Sequence, residues 1–538
     1  MAIDEKEIPQ STLEIGSKAM NVASFILGGK VISLLLLAAS FIIVVRLLGP
    51  SNYGLYILVL ATVGFFGAIG NFGVGSAFNK FIPEYRVKNR IGEIEKILAN
   101  GFAIILISNI VLILIILFLS GFFANTSFHN FQIPAGSNQA YSYSYIVMLI
   151  QIGSLSLITG MLYNISIDAL IGFQKGKHLA ISTIVLALVQ SVLSIVLIFA
   201  GFGALAPLLG YIAGLLAAFL VAVYFLYIPN KLRIVRPSFE GIKKLIRFSW
   251  PIAVSNFFGT VMNNLILIIL GLFAVAAVIG NLGVAVKTGS LIDLISGSIS
   301  ISLIPAFSIG FMNEKIKKSI GKMYSYSVYF SFVFLTPMIA ALVVFSKQIS
   351  YTAFGGVYAL APEYIAVFGI GFLIGIFSMY NSQLLISANK VRKLLKYNII
   401  IVIIQLALIP VLIPTLGGLG AAMLTFLVGP IIMNIVMATV LRKEFAISFK
   451  ASKLFRLMVA NLAVVLAFLP VFLFLQSHYI LQIALAVIIV FVLYPPLLAI
   501  TKAVGKNEID IMYNMTSKIP IVNKIIPYVL AYSKYFMG

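Results

Sequence analysis

Fourteen apolar runs, most of them about 20 residues long, recur along this 538-residue chain between short polar connections. Few constraints on folding are stronger. In hydrocarbon the backbone has no solvent to bond, so a run of that length and composition crosses as an α-helix that satisfies its own amides and carbonyls. The runs fall roughly at 20–45, 53–78, 97–119, 143–170, 179–199, 208–227, 250–272, 283–310, 324–346, 364–386, 398–414, 421–440, 457–474 and 483–500. Composition agrees, with 61% apolar and 10% charged residues. Soluble domains carry about 25% charged residues, which excludes an ordinary globular protein. The first run starts too far in and runs too long for a cleavable signal peptide. The expected fold class is therefore an all-α polytopic membrane protein of about fourteen transmembrane helices.

Charge gives those helices a direction. The 37 Lys and Arg against 15 Asp and Glu leave +22. The N-terminus, the even-numbered connections and the C-terminal tail together hold 33 of the basic residues and 12 of the acids, for +21. The odd connections hold Arg46, Lys347 and Glu363. Such asymmetry places both termini at the cytoplasmic face of the cell membrane. A basic excess spread over short segments beside the anionic inner leaflet also removes nucleic acid as a partner.

Two stretches 215 residues apart are alike: Leu170-Ile-Gly-Phe-Gln-Lys-Gly-Lys177 and Leu385-Ile-Ser-Ala-Asn-Lys-Val-Arg392. The same offset pairs Gln190 with Gln405, Gly203 with Gly418 and Ala206 with Ala421. Runs 1–6 and 7–12 thus form two parallel six-helix lobes, an arrangement of transporters that places substrate between the halves. The expected division is an N-lobe over 1–227, a cytoplasmic linker over 228–249, a C-lobe over 250–440, two added helices within 441–500, and an amphipathic cytoplasmic tail over 501–538.

Charges inside the runs need a reason, because each costs about 2.5–3.5 kcal/mol to insert at a helix centre. Lys30 lies in run 1, and Lys287 and Asp293 lie in run 8. Six residues on a helix turn through about 240°, so Lys287 and Asp293 face different sides. Lys30 and Lys287, one from each lobe, suit an anionic group in a wet cavity, with Arg46 extending the basic surface. The structural alternative is that a lysine snorkels to the interface, or that Lys30 pairs with Asp293. Asp168, near the inner end of run 4, reads as an ion-pair partner of Lys175. Asn263 and Asn264 in run 7 suit sugar hydroxyls, though helix-to-helix hydrogen bonds explain such residues equally well.

Several chemistries find no residues. There is no cysteine, which excludes disulfides, thiolate metal sites and a cysteine nucleophile. His129, His178 and His478 lack metal-ligand spacing, and no Walker A sequence is present. No catalytic constellation is recognisable, so neither an enzyme nor a cofactor is expected.

The segment Arg46-Leu-Leu-Gly-Pro-Ser-Asn-Tyr-Gly-Leu-Tyr56 and the following Phe72-Gly-Val-Gly-Ser-Ala-Phe-Asn-Lys-Phe-Ile-Pro-Glu-Tyr85 resemble the polysaccharide-type flippases. Ser249-Trp-Pro-Ile252 and the turns at 172–177 and 387–392 fit the same resemblance. That superfamily joins multidrug extruders, oligosaccharide-lipid flippases and lipid II flippases. The resemblance implies a two-lobed bundle whose central cavity opens alternately to each face. Its substrate would be a polyprenyl- or dolichyl-phosphate-linked glycan, with membrane lipids around it. Apart from the resemblance, the depth of Asp293 in run 8 suits it to sense a coupling ion, Na+ or H+. A monomer is expected. The lipid II flippases carry basic residues on helices 1, 2 and 8, whereas run 2 has none within the membrane here. Two other readings stay open: a multidrug or organic-cation antiporter dependent on Asp293, and a non-transporting scaffold of a glycan-synthesis complex.

Overall fold

The computed structural model describes residues 10–70, 72–132, 141–290, 307, 311, 320–445, 447, 451–475 and 478–505. Helices and connections account for all of it, and no strand occurs among the described residues. Eleven helices there are long and apolar enough to cross a membrane. The longest, α1 (Gln10–Gly70), carries two of the expected runs on either side of a break at Gly49, whose φ of 70° and ψ of 170° are non-helical. Pro50 follows it. Proline disfavours a helical residue before it and opens the next arm without a wasted N–H. Each of the fourteen expected runs lies at least partly on a described helix.

The chain forms two compact units, Met1–Gly283 and Val284–Gly538. In the first, α1 is followed by α2 (Val74–Val87), α3 (Ile91–Asn125), the short α4 (His129–Gln132), α5 (Tyr143–Gly172), α6 (Gly176–Phe199), α7 (Leu205–Tyr227) and α8 (Phe239–Phe273). The chain crosses to the second unit within α9 (276–290). Helix α8 starts eleven residues before the expected seventh run, at the Ser238 cap, whose hydroxyl accepts from the Gly241 amide. Expected run 2 is two helices, α1 and α2, with Gly73 at φ 69° preceding the second. The α3 surface shows why these helices need lipid: Ile107, Val111, Leu114 and Phe118 are exposed at helical spacing, Phe118 by 87%, while Ile105, Asn109, Leu112 and Ile116 are buried. One end of this unit is a core of Phe78, Ile82, Leu98, Ile165, Leu170, Leu226 and Leu245. The connection 228–238 is tied to α3: Asn100 Oδ1 accepts from the Ser238 amide at 2.7 Å, and Glu95 accepts from the Arg233 amide at 2.7 Å.

The second unit continues with α10 (Ile320–Val344), α11 (Ser346–Phe354), α12 (Ala361–Ser387), α13 (Val391–Leu416) and α14 (Gly418–Phe445), the last containing a π-helical stretch over Leu424–Val428. Helices α15 (Ala451–Ala467), α16 (Leu469–Phe474) and α17 (Tyr479–Ile500) complete it. α15 and α17 pack against α10 and α11 through Tyr329, Phe345, Leu457, Phe468 and Leu498. A polar chain crosses the apolar interior: the Tyr324 hydroxyl donates to Asn381 Oδ1 at 2.6 Å, Asn381 Nδ2 donates to Asn434 Oδ1 at 3.2 Å, and Asn434 Nδ2 donates to the Ile374 carbonyl at 2.8 Å.

The repeat is structural as well as sequential. Gln174 and Asn389 hold left-handed φ of 57° and 55°. The next amides, of Lys175 and Lys390, return to the Leu170 and Leu385 carbonyls at 2.9 and 2.8 Å. Gln190 packs on Gly214 and Gln405 on Gly429, again 215 residues apart. The tail beyond 505 and the greater part of run 8 lie outside the described residues.

Candidate functional site

Within the first unit four helices face a cavity of about 300 Å³. Three of them line it with residues at helical spacing, and the fourth with a single tyrosine. The second arm of α1 brings Gly64, Gly67 and Ala68; α5 brings Ser156, Gly160 and Asn164; α7 brings Tyr211; α8 brings Phe257, Thr260 and Asn264. The empty space exists partly because side chains are missing. A Cβ on Gly64 would stand 3.1 Å from Asn264 Nδ2, and one on Gly67 would stand 2.9 Å from Leu157.

The polar groups around the cavity are unevenly engaged. Asn264 Nδ2 donates to the Thr260 carbonyl at 3.0 Å. Among the described residues no protein hydrogen bond engages the Asn164 amide or the Tyr211 hydroxyl, and no lining side chain carries a formal charge. Asn263 is exposed and does not line the cavity, because adjacent helical residues differ by about 100°.

One turn beyond Asn164 the α5 stripe reaches Asp168. The expected ion pair with Lys175 does not form. Seven residues on, Lys175 would share a face with Asp168 if α5 continued, but the helix ends at Gly172 and the left-handed turn at Gln174 redirects the chain. Asp168 Oδ1 instead accepts from Asn79 Nδ2 of α2 at 3.2 Å. Its Oδ2 lies so close to Gly75 that a Cβ there would come within 1.7 Å. Beside Asn79, the Lys80 ammonium lies over the rings of Phe81 and Phe248, 5.3 and 4.6 Å from their centroids. Where α2 ends, the Arg86 guanidinium donates to the Phe173 carbonyl at 2.7 Å, and Lys88 holds the Glu84 carboxyl below the usual carboxylate range.

The remaining expected site residues belong to different units or lie outside the described residues. Lys30 belongs to α1, with its side chain outside the described residues. Arg46 is exposed, three residues before the break in α1. Lys287 is exposed on α9 in the second unit. Asp293 lies outside the described residues. Among the described residues no three His, Asp or Glu side chains converge on a metal-sized centre. Asn164, Tyr211 and Thr260 were not anticipated as site residues. For Asn164 the signal available was the i, i+4, i+8 run of Ser156, Gly160 and Asn164 on one face of an otherwise apolar helix.

Residues 20–311, more than half of the chain, match the family described as polysaccharide biosynthesis protein. The chain belongs to that family. The polysaccharide biosynthesis match takes in all four helices of the cavity. No curated protein sequence matches the chain. Among solved structures it is similar to the lipid II flippase MurJ in an inward closed conformation, with TM-score 0.64 and 15% identity over 88% of this chain and 98% of that one. It is also similar to a multidrug resistance MATE family transporter of the MOP superfamily. The inward-facing form gives TM-score 0.62 and 14% identity over 77% and 96% of the two chains. The outward-facing form gives 0.52 and 16% over 80% and 96%. At these identities the likeness is one of fold. This member of the polysaccharide biosynthesis family is a multi-pass membrane protein with the all-α fold of those transporters.

Proposed function

We propose that the protein is a flippase that turns a lipid-linked glycan from the inner to the outer leaflet of the cell membrane by alternating access. The observation carrying this reading is the polysaccharide biosynthesis match over residues 20–311, on a fold whose relatives include a lipid II flippase. The glycan hangs from a polyprenyl or dolichyl phosphate whose tail stays in the bilayer. Lys30 and Lys287 meet the anionic phosphate, one from each lobe, and Arg46 extends the basic surface. Asp293 senses Na+ or H+. The protein works as a monomer with both termini cytoplasmic, and makes or breaks no covalent bond.

The test is translocation of a fluorescent polyprenyl-diphosphate-linked oligosaccharide in vesicles holding the purified protein. A lost hydrogen bond to a charged group costs about a factor of ten or more, so Lys30→Ala and Lys287→Ala together should slow translocation at least tenfold. A double variant as fast as the parent protein would remove the phosphate assignment, and a parent protein that leaves the glycolipid in its original leaflet would remove the flippase.

A further inference from the structure

Phosphate binding leaves the cavity of the first unit unexplained, since no described side chain lining it is charged. We propose that this cavity binds an uncharged sugar ring of the glycan and selects against charged sugars. The proposal rests on the flippase reading and adds to it the chemical class of the sugar.

A sugar ring offers two kinds of surface, an apolar face of C–H groups and an edge of hydroxyls. The cavity is built for both. Phe257, Leu60 and Met161 supply apolar contact, and the Tyr211 ring adds a second aromatic surface. The Tyr211 hydroxyl and the Asn164 amide, without protein partners among the described residues, provide a donor-acceptor oxygen, two N–H donors and a carbonyl acceptor. Asn264 keeps its Oδ1 for a ligand while Nδ2 is held by the Thr260 carbonyl. At about 300 Å³ the space is at the small end of small-molecule sites, which suits one terminal unit and not a whole repeat. A carboxylate or ammonium entering it would lose water and meet no counter-charge in the cavity lining, so charge is the property it rejects most strongly. The same absence disfavours an organic cation.

The single tryptophan, Trp250, provides the readout. It lies one turn before Ala253 in the cavity wall, and its ring centroid is 6.2 Å from that of Phe72, next to the lining residue Gly73. Full-length protein in lipid nanodiscs would be titrated with the methyl glycosides of glucose and N-acetylglucosamine, and separately with glucuronate, glucosamine and tetraphenylphosphonium. The neutral glycosides should shift Trp250 emission saturably, with the charged probes binding at least about tenfold more weakly. Tyr211→Phe, which keeps the ring, and Asn164→Ala should each weaken the neutral glycosides about fivefold.

Glucuronate or tetraphenylphosphonium binding as well as the neutral sugars would overturn the proposal. So would neutral binding untouched by both variants, or no saturable response to either neutral glycoside. Translocation of the glycolipid in matched vesicles separates the two levels. Translocation with a failed sugar titration removes the cavity assignment alone. Saturable neutral-sugar binding without translocation removes the flippase and leaves a sugar site.

Discussion

Gly75 carries no side chain, and that is what lets Asp168 lie against α2. The carboxylate fills the space a Cβ would take while Asn79, one turn along, donates to its other oxygen. Within a membrane such a group is costly unless its lone pairs are met, and here the adjacent helix meets one of them. Gly75→Ala should therefore act as an overpacked site and lower stability by about 1–3 kcal/mol. The clash is with one side chain, so adding Asp168→Ala should recover a substantial part of the loss. Thermal unfolding of the two single variants and the double variant in detergent would show this as a strong coupling. Additive effects would mean that Gly75 and Asp168 are not in contact.

Among the elements, α14 departs from regular helix in a way that needs a partner. Its π-helical stretch over Leu424–Val428 disturbs the regular pattern of carbonyl bonding, and Gln405 Nε2 of α13 donates to the Leu424 carbonyl at 2.9 Å. An intramembrane carbonyl without a donor is expensive. Gln405→Leu keeps the bulk and removes the donor, so it should destabilise the protein by about 1–3 kcal/mol. Gln405→Glu, protonated in hydrocarbon, should recover part of that. The measurement is the thermal midpoint of the purified variants, and a Leu variant melting with the parent protein would show that the Leu424 carbonyl finds another donor.

At the scale of the whole molecule the prediction concerns orientation. The basic excess lies on alternate connections, and the left-handed turns at Asn89, Gln174 and Asn389 each lead into a basic residue, Arg90, Lys175 and Lys390. These ends should face the cytoplasm. Because the chain has no cysteine, single substitutions report cleanly. Lys177→Cys and Lys393→Cys should react with an impermeant maleimide only after the cells are opened, while Thr126→Cys should react in intact cells. The opposite pattern would reverse the topology and with it the direction of flipping.

Much of this architecture is local and was legible for that reason. A run of apolar residues in hydrocarbon has one way to satisfy its backbone, so the helices could be placed from residues 20–500 alone. The 215-residue repeat was readable because the same short turn sequence produces the same hydrogen bonds at 170–177 and 385–392. The cavity was only half legible. Asn264 stood out as a polar residue in an apolar run, but Asn263 beside it stood out equally, and helix phase against α1 and α5 separates the two. Asp168 shows the limit most clearly. Its sequence neighbour Lys175 suggested an ion pair, yet the chain turns between them and Asn79, 89 residues away, takes the carboxylate. The sequence by itself determined the helices and the distribution of charge, since these depend on residues a few positions apart. Only tertiary structure decided which stripes converge on a cavity and which polar groups remain unengaged there, because those facts depend on contacts between helices separated by tens to hundreds of residues.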